Sequence, residues 1–92
     1  MLLVAYDISD DKLRSQFSKF LEQHGHRVQY SIFQVENSDR IVNNIVSEIR
    51  KRFEKKFEQS DSVIMIPLSV PNEEKMMRFG YAKNEETDII MV

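Results

Sequence analysis

Two segments of this 92-residue chain carry a one-sided apolar stripe at helical spacing, and β-type runs lie before, between and after them. Leu13, Phe17, Phe20 and Leu21 make the first stripe. Ile41, Ile45, Ile49, Phe53 and Phe57 make the second, widened by Val42 and Val46. A helix with a single apolar face must bury that face against another element. Both helices therefore have to cover a sheet, and the chain is long enough for one small domain, expected to span residues 1–92.

The local signals agree. Residues 2–7 are rich in Leu, Val and Tyr without polar alternation, as in a central strand covered on both faces or lying at an interface. Ser9 or Asp10 can cap the first helix, and Gly25 is placed to stop it. Residues 27–35 form a second β-type run, either one strand or two with a break near residues 29–31. Asn37-Ser38-Asp39 offers a turn and a cap for the long second helix. Residues 62–69 form a third β run, stopped by Pro67 and Pro71. Met77, Phe79 and Tyr81 alternate with polar or small residues, and Asp88-Ile-Ile-Met-Val92 reads as a last apolar strand. An apolar strand of that kind is an aggregation hazard unless it pairs. The order β-α-β-α-β-β-β predicts an α+β, ferredoxin-like sandwich with two helices on one face of an antiparallel sheet. A second copy is the economical cover for the other face, with the C-terminal strand pairing with the partner subunit.

Composition narrows the function classes. The net charge of -2, from 13 basic and 15 acidic residues, carries no bulk nucleic-acid signal. Distribution says more: Arg50-Lys51-Arg52 and Lys55-Lys56 cluster late in the second helix, and acids gather at residues 7–11. The absence of cysteine excludes disulfides and thiolate metal sites. No signal peptide and no apolar run of membrane-spanning length stands out, so a cytoplasmic location without membrane attachment is the default expectation. No Ser-His-Asp arrangement, phosphate loop or dinucleotide fingerprint is present. His24 and His26 flank Gly25 without a third ligand, as in a surface turn. Asp7, Ser9 and Asp11 have the spacing of a calcium loop, but Lys12 replaces its glycine and Ser18 its bidentate acid, so that reading is rejected.

Two stretches carry a family resemblance. Val4-Ala5-Tyr6-Asp7-Ile8-Ser9-Asp10-Asp11 and Arg27-Val28-Gln29-Tyr30-Ser31-Ile32-Phe33 resemble the motifs of the smaller of the two core CRISPR adaptation proteins, the Cas-two family. A long amphipathic helix and Val63-Ile-Met-Ile-Pro-Leu68 follow in the expected order. The resemblance implies a ferredoxin-like homodimer, metal-dependent endonuclease activity on RNA or DNA, and a role beside the CRISPR integrase, Cas-one, in spacer acquisition. It places the metal-binding, catalytic aspartate on Asp7 and its neighbouring tyrosine on Tyr6. Arg14 matches the arginine of the first helix; Arg27, Ser31 and Phe33 match the second motif. Two positions depart from the pattern: Gln16 stands where many members have a second arginine, and Gln34 where many have Glu.

From the residues alone, Asp7 reads as the acid that opens the turn before the helix. The resemblance turns it into a ligand for magnesium, or another hard cation such as manganese. One carboxylate is a poor site, but a two-fold axis would make it a pair. Without metal, such a pair would repel. Arg14, Arg27, Arg50 and Lys51 are the candidates for nucleic-acid contact, the last two as a backbone track along a helix face that is otherwise simply solvated. Tyr6, Tyr30 and Phe33 are expected to pack in the core or an interface. Two functions follow, a metal-dependent phosphodiesterase and a non-catalytic dimeric scaffold that bridges integrase dimers and holds duplex DNA. A regulatory module binding a small metabolite has no glycine-rich ligand loop to support it.

Overall fold

The computed structural model of the chain describes residues 1–77 and Phe79. The strand expected at residues 88–92, with its pairing to a partner, lies outside the described residues, as does Tyr81. The elements run β1 (Leu2–Asp7), α1 (Asp11–Glu22), β2 (Gly25–Gln29), β3 (Ile32–Val35), α2 (Asp39–Glu48), β4 (Ser62–Pro67) and a short α3 (Val70–Glu74). The four strands form one antiparallel sheet in the order β2-β3-β1-β4, so β1 is central. This is the ferredoxin-like arrangement, in which each helix crosses from one strand to another two places away.

Period-two alternation sorts β1 between the two faces of the sheet. Leu2, Val4 and Tyr6 point into the helix layer, as do Phe33 and Val35 of β3. Leu13, Phe17, Phe20 and Leu21 of α1 meet them, as the sequence stripe requires. Asp10, not Ser9, is the N-cap of α1; its carboxylate accepts the Leu13 N–H at 2.8 Å. Ser38 caps α2 in the same way, accepting the Ile41 N–H at 3.3 Å.

The second helix is not uniform. Regular α-helix ends at Glu48, a π turn covers Ile49–Phe53, and a 3₁₀ turn covers Glu54–Lys56. The stride of four in its apolar stripe explains the wider turn. At 3.6 residues per turn, each step of four overshoots by roughly 40°, and the stripe would rotate off the core. A π turn holds more residues and cancels part of that drift. Phe53 consequently arrives fully inside the core.

The run at residues 27–35 is two strands joined through Tyr30 and Ser31, with a register shift between Arg27 and Gln29. Tyr30 at the tip is 81% exposed, so the expected packing of its ring is not found in the single chain. Gly25 does not stop α1, whose C-cap is Gln23; it opens β2. A side chain there would run into the Gln34 carbonyl group and come within 2.9 Å of Val35 Cα, so glycine is needed for β2 to approach β3. After β4 comes the short helix α3, with Pro71 in its first turn, which the sequence reading did not anticipate; the strand expected around Met77, Phe79 and Tyr81 lies largely outside the described residues. Met77 and Phe79 lie outside any regular element.

The second face of the sheet lies away from α1 and α2. It presents Leu3 and Ala5 of β1, Ile32 and Gln34 of β3, and Ile64 and Ile66 of β4, the last two 57% and 42% exposed. Met76, Met77 and Phe79 come across one side of it, leaving an apolar groove of about 220 Å³ against Leu3, Val28 and Ile32.

Candidate functional site

β1 delivers Asp7 to the rim of the sheet, opposite Ser62 of β4 in the β1–β4 register. Tyr6 before it and Ile8 after it are both buried. Strand alternation therefore sends the Asp7 side chain to the open face, where it is exposed. Its carboxylate has no hydrogen bond or ion pair among the described residues.

The loop that follows is held from several sides. Asp10 caps α1. Arg14 folds back from α1, its Nη1 donating to the carbonyls of Ile8 at 3.0 Å and Ser9 at 3.5 Å, while Nη2 pairs with Asp11. Ser9 reaches across to the turn before β4: its backbone N–H donates to Asp61 Oδ1 at 3.0 Å, and its Oγ lies 3.0 Å from both Glu58 Oε2 and Asp61 Oδ1. Asp61 Oδ2 also accepts the Glu58 N–H at 2.8 Å.

The two sequence motifs meet in one knot. The Tyr6 N–H donates to the Ser31 carbonyl at 3.0 Å, and the Tyr6 ring lies 6.3 Å from that of Phe33. Arg27 places its guanidinium 5.0 Å over the Phe33 ring, donates to the Tyr30 carbonyl at 2.6 Å and reaches Glu22 at 3.9 Å. The Tyr6 hydroxyl donates to the same Tyr30 carbonyl at 3.4 Å. Burial pushes the Tyr6 phenol above its ordinary pKa, against the pull of the Arg27 and Arg14 charges. Tyr6 is thus a neutral hydroxyl at pH 7, suited to bracing the β2–β3 turn and not to acting as a phenolate base. Arg50 and Lys51 lie on the exposed π turn, and no hydrogen bond, ion pair or ring contact joins them to this knot. Their neighbour Arg52 is instead tied down, 4.6 Å over the Phe53 ring and paired with Glu48 at 3.3 Å.

The amino-acid sequence that builds this geometry matches a known family. The family model described as CRISPR associated protein Cas2 matches residues 1–76. The chain belongs to the CRISPR-associated Cas2 family. It is 36% identical over 69 residues to a protein of Synechocystis sp. named CRISPR-associated endoribonuclease Cas2 3, covering 75% of this chain and 72% of that one. A second Synechocystis relative, named CRISPR-associated endoribonuclease Cas2 2, is 33% identical over 79 residues, covering 85% of this chain and 82% of its own. Among solved structures, Streptococcus pyogenes Cas2 at pH 6.5 shares the fold with a TM-score of 0.72 at 21% identity, covering 86% of this chain and 98% of that one. A hypothetical protein of Thermus thermophilus aligns with a TM-score of 0.65 at 28% identity, covering 74% and 79%.

Among the described residues, no group of three or more His, Cys, Asp or Glu side chains could hold a metal ion. Among the described residues, the chain brings one carboxylate without a partner, Asp7, to this rim. That donor suits a hard cation that keeps most of its waters and takes one or two carboxylates. No helix among the described residues is long and apolar enough to cross a membrane.

Asp61, Glu58 and Ser9 are the site neighbours that sequence reasoning missed. Asp61 stands 54 positions after Asp7, and only the β1–β4 register brings the two segments together. The N–H groups of Glu58 and Ser9 hold the Asp61 carboxyl below its ordinary pKa; desolvation opposes them, and the Ser9 hydroxyl adds a smaller pull downward. A folded-state pKa below the unfolded one contributes stability that is complete above the unfolded value, near 3.9, and is lost as pH falls through the folded value. Acid denaturation of wild type and Asp61→Ala should therefore show a stability gap at neutral pH that closes as pH drops below about 3.9. A gap that stays constant through the acid range would refute this.

Proposed function

We propose that this protein is a metal-dependent phosphodiesterase acting on RNA or DNA, with Asp7 from each subunit of a homodimer as the metal-binding, catalytic carboxylate. It would work beside the Cas-one integrase in spacer acquisition. The observation that carries the reading is the Asp7 carboxylate, exposed at the exit of the central strand and free of any partner among the described residues. An acid whose role was to cap or pair would be engaged, as Asp10 and Asp61 are. The relatives' endoribonuclease names favour the same chemistry. The apolar open face with Ile64 and Ile66 supports dimerisation, which would supply the second carboxylate.

Bound magnesium or manganese would polarise a phosphodiester oxygen and lower the pKa of a coordinated water. The chain's own residues supply the rest. Asp7 would hold the cation at the rim. Arg14, anchored to the loop carbonyls and Asp11, steadies the loop that follows it. Tyr6, Ser31, Arg27 and Phe33 brace the opposite side. Arg50 and Lys51 would follow phosphate groups along a nucleic-acid backbone.

The exposed Arg50 and Lys51, without ion-pair partners among the described residues, also favour the scaffold reading, in which the dimer binds duplex DNA without cutting it. Chelation separates the two. Purified protein should cleave RNA or DNA with magnesium or manganese and stop when EDTA is added. Duplex binding by the basic residues should persist in EDTA. Equal cleavage with and without chelator would remove the metal-dependent reading; binding without cleavage in either condition would leave the scaffold.

A further inference from the structure

We infer that Asp61 is a positioning residue for Asp7, a single carboxylate that clamps the β1–α1 loop onto the turn leading into β4. The inference rests on the proposed role of Asp7 as the metal-binding carboxylate. Asp7 and Ser62 are the last cross-strand pair of β1 and β4. Just beyond that pair, Ser9 and Asp61 are joined by the Ser9 N–H to Asp61 Oδ1 bond at 3.0 Å. Asp7 therefore sits in a short ring closed by one strand pair and one side-chain bond. Ile8, which lies inside the ring, is anchored in the core and leaves the loop no slack. Arg14 holds the same loop from the α1 side through the Ile8 and Ser9 carbonyls.

The chemistry calls for a carboxylate at residue 61. Two N–H groups approach it from opposite ends: Ser9 N–H at Oδ1 and Glu58 N–H at Oδ2, 3.0 and 2.8 Å away. An asparagine amide has one acceptor oxygen and would turn its NH₂ toward one of these donors. The Ser9 hydroxyl adds less, because its one hydrogen is shared between Glu58 Oε2 and Asp61 Oδ1, each 3.0 Å away. The clamp also lies on the surface, outside the buried cluster that carries the fold. Its loss should loosen Asp7 without unfolding the protein.

The test uses the full chain and Mn²⁺ as the probe, with binding read by electron paramagnetic resonance and loop order by amide hydrogen exchange of the metal-free protein. Asp7→Ala should abolish the Asp7-dependent binding. Asp61→Asn should weaken it about tenfold, as loss of a partner that orients a metal ligand does, and should speed exchange at the Ser9 amide. Ser9→Ala keeps the backbone N–H and should stay close to wild type. Asp61→Glu serves as a second variant if Asp61→Asn melts early: it keeps both oxygens but shifts them by a methylene, and should also bind more weakly than wild type. Wild-type affinity in both Asp61 variants, with binding lost in Asp7→Ala, would overturn the clamp and leave the metal reading intact. Equal binding by wild type and Asp7→Ala, or none by wild type, would overturn both.

Discussion

If the proposed activity is right, purified protein carrying Asp7→Ala is expected to lack the metal-dependent cleavage of RNA or DNA that wild type shows, down to the level seen in EDTA, while remaining folded. The cleavage loss follows from the chemistry. Among the described residues no other acidic group is placed to replace Asp7, since Asp10 is committed to the α1 cap and Asp61 to Ser9 and Glu58. The retained fold follows from the same exposure that makes Asp7 available. Among the described residues its side chain has no partner to leave unsatisfied, and its exposure means no cavity opens, so the stability change should stay within about 0.5 kcal/mol. A cleavage assay at matched protein and Mn²⁺ concentrations, with a thermal melt of both proteins, reads both halves. Unchanged cleavage would show the catalytic assignment to be wrong. Spacer acquisition that continues in cells carrying Asp7→Ala would assign the biological role to the scaffold, whatever the purified protein does to RNA or DNA.

Phe17→Ala is expected to cost about 3–5 kcal/mol of folding stability. Phe17 is 0% exposed and stands at the centre of the aromatic core. Its ring meets Tyr6 edge-on at 5.0 Å, meets Phe53 edge-on at 5.0 Å and Phe20 at 6.1 Å. One side chain thus joins the central strand, α1 and the π turn after α2. Those partners are bulky and fixed in separate elements, so the cavity cannot collapse fully, and the loss combines transfer and cavity terms. A domain of 92 residues has roughly 5–14 kcal/mol in total. The melting temperature should drop by about 12 °C or more, at 4 °C or more per kcal/mol. Denaturant unfolding measures it directly; a loss below about 1 kcal/mol would mean that the core repacks around the gap.

Much of the fold was legible in the chain because its signals are periodic and local. The stripes at residues 13–21 and 41–57 report buried helix faces whatever lies opposite them, and both pack on the sheet. Asp7 was legible for a similar reason: an acid at the end of an apolar run, before a capped helix, falls on a strand exit. Other positions were not. Gly25 has the spacing of a helix stop, yet it is required by the approach of β2 to the Gln34 carbonyl group, a contact between strands. Tyr30 has the composition of a packed β residue but lies at a turn tip, because Gln29 pairs with Ile32 and leaves Tyr30 and Ser31 as the connection between β2 and β3. The helix α3 was masked by Pro67 and Pro71, which read as strand stops although a proline in the first turn favours a helix.

The family resemblance named Arg14, Arg27 and Phe33 but not what they touch. Arg27 stacks on Phe33 and ties the β2–β3 turn, and Arg14 ties the loop after Asp7. The amino-acid sequence by itself determined the alternation of strands and one-sided helices, the cap at Asp10 or its neighbour, and Asp7 as the acid at the mouth of a strand. These are properties of spacing within a few residues, where backbone geometry dictates which side chains share a face. Only the tertiary structure decided that Asp61 holds Ser9, that the two motifs form one knot around Tyr6 and Phe33, and that, among the described residues, Asp7 is left without a partner while Asp10, Asp11 and Asp61 near it are engaged. Those outcomes depend on strand order and register, which join residues far apart in the chain through contacts that no local pattern encodes.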